Sequence, residues 1–181
     1  MSLSTTESTT PLEHSWCLWF HHTTDYKWDL ESYRSIITLR SIEDFWSLYN
    51  EWNQYLPEIQ NNMFFLMKRG IPPIWEDEKN QMGGVWCFRV QKMNVYSAWT
   101  ELSMMLLGNT LCKDVNHMKH INGISISSKT HYSIIKIWNN DSSLNDVSIL
   151  ETIPFINFEQ GIFKNHIDNI KYDKEKKTTN D

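Results

Sequence analysis

The sequence predicts an α+β fold, with about eight antiparallel strands and about three helices. Short runs that alternate apolar and polar residues, or are rich in aromatic and β-branched residues, recur along the chain. The helical patterns between them are too few to alternate as β-α-β units, which argues against a doubly wound sheet. A length of 181 residues suits one domain with a sizeable core.

Taken in order, residues 1–13 are polar and expected to be disordered, as is the charged tail 173–181, which leaves a folded domain over 14–172. Ser15 to Phe20 reads as a first strand and Ser35 to Arg40 as a second. Ser41 with Asp44 three residues on resembles a capping box, opening a helix from Ile42 to Tyr55. On it Phe45, Leu48, Tyr49, Trp52 and Leu56 share one face, whereas Trp46 lies at the stripe's edge near Ile42 and is a candidate partner contact.

Phe64 to Lys68 and Val85 to Val90 read as strands flanking a loop, Ile71 to Gly84. A second helix runs from about Ser97 to Leu107 and stops at Gly108, with Glu101 off its apolar stripe of Trp99, Leu102, Met105 and Leu106. Ile121 to Ser128 alternates at period two with Ser133 to Trp138 as its hairpin partner, and the turn between them holds Lys129 and His131. A short helix over Asp146 to Glu151 and two weaker strands, Phe155 to Phe158 and Gly161 to Phe163, complete the count.

Composition narrows the function. A net charge of −5 argues against a basic stripe gripping a long nucleic-acid backbone, so nucleic-acid contact should be short and local. No apolar run is long enough for a membrane span and the first ten residues lack a signal-peptide core, so a cytoplasmic protein is expected. Three widely spaced cysteines fit reduced thiols. Phosphate-cradling glycine motifs, a Gly-x-Ser-x-Gly elbow and paired-histidine zinc patterns are missing, and Cys112, His117 and His120 match no standard zinc spacing. Neither an enzyme nor a bound metal or cofactor is expected.

What remains is a binding inventory. Nine tryptophans in one small domain leave room for some to face a ligand. In the 71–84 loop Pro72 and Pro73 stiffen the backbone ahead of Trp75 and Glu76. An indole beside a carboxylate suits a purine: the ring offers a stacking face and the carboxylate accepts two N–H groups from the base edge. A loop tryptophan is more often a packing residue than a ligand platform. Trp28, between Lys27 and Asp29, is a second aromatic in a polar loop.

Four runs carry a family likeness: Trp-x-Leu-Trp-Phe at 16–20, Ser-Ile-Glu-Asp-Phe-Trp-Ser-Leu-Tyr-Asn at 41–50, Gly-Ile-x-Pro-x-Trp-Glu-Asp-Glu-Lys-Asn at 70–80 and Gly-Gly-x-Trp at 83–86. In order and spacing they resemble the mRNA cap-binding translation initiation factors of the 4E family over most of residues 11–138. The likeness fades after Asn139, although the segment 163–169 is similar to that family's terminal cap-proximal loop.

The resemblance implies a curved sheet with helices on its convex back and a cap slot on its concave front. Trp28 and Trp75 would sandwich the cationic 7-methylguanine, Glu76 would accept its N1 and N2 hydrogens, and Trp138 would pack near the methyl group. Val85 and Ile134 stand where the family carries basic residues, which implies a weaker phosphate contribution; Lys129, Lys136, Lys171 and His131 are the candidate replacements. Pro11, Ile42, Trp46, Glu101 and Leu107 match the family's site for a Tyr-x4-Leu-Φ helix of a 4G-type scaffold or a 4E-binding repressor. The implied partners are capped mRNA, including m7GTP and m7GpppN, and such a helix, bound by a monomer. The resemblance leaves two roles open: recruitment of capped mRNA through a scaffold, or a cap-binding repressor or decoy. A cap-processing enzyme is the competing class.

Overall fold

The computed structural model describes residues 9–179, apart from the side chains of residues 55 and 173–179. Seven strands form one curved antiparallel sheet: β1 Pro11–His21, β2 Tyr33–Ser41, β3 Met63–Lys68, β4 Gly84–Gln91, β5 Ile121–Ser128, β6 Tyr132–Asn139 and β7 Ile162–Asn165. Their order across the sheet is β2-β1-β3-β5-β6-β4-β7. The α-helices are α1 Ile42–Asn50, α2 Trp52–Tyr55, α3 Val95–Leu107 and α4 His166–Thr179.

Period-two patterning gives the sheet two different faces. Trp16 and Leu18 of β1, Phe64 and Leu66 of β3, Trp86 and Phe88 of β4 and Ile135 and Ile137 of β6 join the buried faces of α1, α2 and α3 in the main core. The alternate positions, among them Phe65, Met67, Val85 and Trp138, form a smaller cluster on the opposite, concave face. Five of the nine tryptophans, Trp16, Trp52, Trp86, Trp99 and Trp138, are fully buried. Trp28 and Trp46 are exposed, one on each side of the sheet.

The capping box at the start of α1 is formed in both directions, Ser41 Oγ accepting from Asp44 N at 3.0 Å and Asp44 Oδ2 from Ser41 N at 3.1 Å. The single helix expected over 42–55 is divided, because Glu51 leaves the helical region at φ −107°, ψ 9°. Phe45, Tyr49 and Trp52 nevertheless fall on the buried face.

Four boundaries differ from the sequence reading. β1 begins at Pro11, inside the expected tail, because Pro11 pairs with Ser41 and Thr10 O accepts from Ile42 N at 2.9 Å. Phe155 to Phe158 forms no strand: Phe155 turns with φ 68° and Phe158 opens a 3-10 turn, so the sheet has seven strands. Residues 147–149 are likewise a 3-10 turn, not a helix. The segment 173–179 continues α4, its Lys and Glu being strong helix formers. The rest of the expected disorder, residues 1–8 and 180–181, lies outside the described residues.

A candidate ligand cleft on the concave face

A cleft of about 580 Å³ opens on the concave face, with Trp28, Trp75 and Glu76 on its walls. Each indole has an imidazole behind it. The Trp28 ring lies parallel to His21, 2° between planes and 4.4 Å between centroids, and is still 53% exposed. His21 Nε2 is 2.8 Å from the carbonyl of Lys27, and since a carbonyl only accepts, that nitrogen carries the proton. The bond ties the residue before Trp28 to the end of β1.

Trp75 stacks at 6.3 Å and 22° on His166, which also leans on Trp138 at 5.0 Å. Burial, with Lys136 adding to it, pushes the His166 imidazole down to about 4. The ring is therefore neutral at pH 7 and adds no charge beside the indole. Neither histidine could be assigned this role from the sequence: His166 lies 91 residues from Trp75, and His21, though only seven residues from Trp28, meets it only through the fold of the intervening loop.

The 71–84 loop is held by one buried amide. Asn80 Nδ2 donates to Pro72 O and Ile74 O, both at 2.8 Å, while its Oδ1 accepts from Asn122 Nδ2 at 2.8 Å. Asn122 also donates to Lys79 O at 2.7 Å, and Asn80 O accepts from Gly83 N at 2.9 Å. The proline-stiffened segment 72–74 is thus pinned just ahead of Trp75. Asn80→Leu keeps the size and removes three hydrogen bonds to buried groups. It should destabilise the protein by about 3 kcal/mol, read as a lowered urea midpoint with an unchanged m-value.

Trp138 lines the floor, 1% exposed, its Nε1 donating to Ser125 Oγ at 2.9 Å. It backs the cleft and offers little surface to a base. Tyr33 lies nearby, its hydroxyl held above the usual tyrosine range by burial, then by the charges of Glu76 and Asp29.

The cleft holds more cations than the sequence reading allowed. Lys129 and Lys136 line the cleft as expected, together with Arg89 and Lys164, which the motifs did not flag. Strand register brings them together: Lys136 lies opposite Cys87, Arg89 opposite Ile134, and Val85 opposite both Trp138 and Lys164. Burial, then the like charges of Lys129 and Lys164, hold Lys136 below the usual lysine range, with Cys87 opposing. Among the described residues no carboxylate forms an ion pair with any of the four. His131 is exposed at the β5–β6 turn and Lys171 is exposed on α4; neither lines the cleft. Arg89 and Lys164 are thus cleft cations in addition to those expected, while Val85 and Ile134 stand apolar where basic residues would be. No group of three His, Cys, Asp or Glu side chains among the described residues could hold a metal.

On the convex side Ile42 and Trp46 stand one turn apart on α1, each 43% exposed. Pro11 is exposed beside Ser41, Glu101 is half-buried on α3, and Leu107 is 6% exposed, so it contributes mainly to the core.

The family model for eukaryotic initiation factor 4E matches residues 11–181. Eukaryotic translation initiation factor 4E-1A of Danio rerio is 29% identical over 143 residues, covering 77% of this chain and 65% of its own length. The chain spans under two thirds of the length of such curated relatives, 61% for the Xenopus laevis factor. Among solved structures, Ascaris suum eIF4E-3 in complex with an m2,2,7G cap superposes with a TM-score of 0.65 at 29% identity, covering 77% of this chain and 78% of that one. C. elegans eIF4E-3 in complex with the 4E-binding protein Mextli reaches 0.72 over 90% and 96% of the two chains at 22% identity, a likeness of fold.

Proposed function

The chain belongs to the eukaryotic initiation factor 4E family, and we propose that it binds the 7-methylguanosine cap of mRNA in the concave cleft and recruits capped mRNA for translation in the cytoplasm. The observation that carries this reading is the pair of indoles, Trp28 and Trp75, on one cleft with Glu76, together with four cations that have no carboxylate partner among the described residues.

A 7-methylguanine base is cationic. Between two indoles it gains stacking of about 1–3 kcal/mol per face and a cation–π contribution on the order of 2 kcal/mol when desolvated. Glu76 accepts the N1 and N2 hydrogens of guanine, a paired contact worth about 1–3 kcal/mol of discrimination between bases. The polyphosphate then runs over Lys129, Lys136, Arg89 and Lys164. On the convex side Ile42, Trp46 and Glu101, with Pro11 beside them, take an amphipathic Tyr-x4-Leu-Φ helix from a scaffold or 4E-binding protein.

Tryptophan fluorescence tests the first half: m7GTP should quench it at concentrations where GTP does not, and equal quenching by both would refute the reading. In the same preparation, protein held on an m7GTP resin should retain a Tyr-x4-Leu-Φ peptide. A resin-bound protein that retains no such peptide would remove the recruiting role and leave that of a cap-binding decoy.

A further inference from the structure

A second cavity of about 700 Å³ adjoins the cleft around the β5–β6 turn, and Lys129 and Tyr132 line both. Its other walls include Thr23, Asn61, Lys92 and His131. The lining is polar and holds no carboxylate, in a chain whose net charge is −5. Lys92 is fixed there, its ammonium donating to Ser128 Oγ at 2.6 Å and to the carbonyl of Gln60, with one N–H left over. Tyr132, on the shared wall, carries the Arg89 guanidinium over its ring, 4.8 Å from the centroid, so an aromatic ring and a guanidinium meet there.

We infer that this second cavity is the track for the first nucleotides that follow the cap, an inference that rests on the cap reading above. Lys129 lines both cavities, so a ligand whose phosphates reach it can extend into the second only as the chain attached to them, and in a capped message that chain is single-stranded RNA. Such a strand is held by cations that follow its phosphates and by planar groups on which its bases stack, tolerant of sequence. Lys129 and Lys92 supply the first, and Tyr132 with Arg89 the second. His131 and Thr23 add hydrogen-bonding groups for sugar and phosphate oxygens.

The experiment compares m7GTP with a capped tetraribonucleotide in fluorescence titrations of the wild type, Lys92→Ala and Thr130→Glu. The second variant places a carboxylate on the exposed turn, which lines this cavity and not the cleft, and guards against Lys92→Ala acting through its bonds to Gln60 and Ser128. In the wild type the oligonucleotide should bind about fivefold or more tightly than m7GTP, the low end for one stacked base. Its log–log salt slope should steepen by about 0.7 for each added phosphate contact. Lys92→Ala should keep the m7GTP affinity, and both variants should lose the gain of the oligonucleotide over m7GTP. A capped oligonucleotide no tighter than m7GTP, or a gain that survives in both variants, overturns the track while leaving cap binding intact. Wild-type protein that binds neither ligand overturns both readings.

Discussion

Replacing Trp28 or Trp75 by alanine is expected to weaken m7GTP binding by about two orders of magnitude. Each change removes one stacking face and half of the cation–π contribution, together about 2–4 kcal/mol. The two jaws should differ in what else they lose. Trp28 is half exposed and rests only its inner face on His21, so Trp28→Ala should leave the urea midpoint nearly unchanged. Trp75 packs against His166 and the concave cluster of Phe65, Val85 and Trp138, so Trp75→Ala should lower the midpoint as well as the affinity. Trp28→Phe keeps a ring on His21 with a weaker quadrupole and should recover part of the binding. Titrations on protein whose circular dichroism is unchanged make the comparison. A Trp28→Ala variant that binds m7GTP like the wild type would mean that the base lies elsewhere in the cleft.

These expectations rest on features the sequence exposed unequally. The loop residues Trp28, Trp75 and Glu76 stand out locally, because an aromatic or carboxylate among prolines and polar residues has few packing reasons to be there. The capping box at Ser41 and the face of α1 are local too, set by spacings of three and four residues. Arg89 and Lys164 were illegible for the opposite reason. Each is an ordinary solvent-facing position in an alternating strand, and only the register of β4 against β6 and β7 sets them in one cleft. Trp138 was legible by its match to a base-contacting position, and strand parity sets it on the concave face at the cleft floor, but its bond to Ser125 and its near-complete burial could not be read from the sequence. The run Phe155 to Phe158 is apolar enough for a strand, yet the edge of β4 is already taken by β7.

Gly83→Ala is expected to be the most destabilising small substitution in the chain, and it separates two reasons for a glycine. A Cβ built on Gly83 would lie 1.8 Å from Asn139 O, 2.6 Å from Asn139 C and 2.7 Å from Asn140 Cα. All three are backbone atoms of β6 or its end, so no side chain can swing away. The approach is fixed from several sides: Gly83 O accepts from His166 N at 3.0 Å, and Asn139 Oδ1 accepts from Gly84 N at 2.9 Å. Overpacking at such a point should cost at least about 4 kcal/mol, beyond the usual range for point changes. Gly70 is the contrast. It has φ +81° and nothing nearer its missing Cβ than Lys79 Nζ at 4.0 Å, so Gly70→Ala should cost only the left-handed penalty of about 1–2 kcal/mol. Urea midpoints of the two variants decide between these origins. Equal midpoints would show that β4 can withdraw from β6 without loss. Withdrawal would also move Val85, which lies opposite Trp138 and Lys164, and so would pull the cleft floor from under Trp75. Gly83→Ala should therefore lose m7GTP binding along with stability, whereas Gly70→Ala should keep most of it.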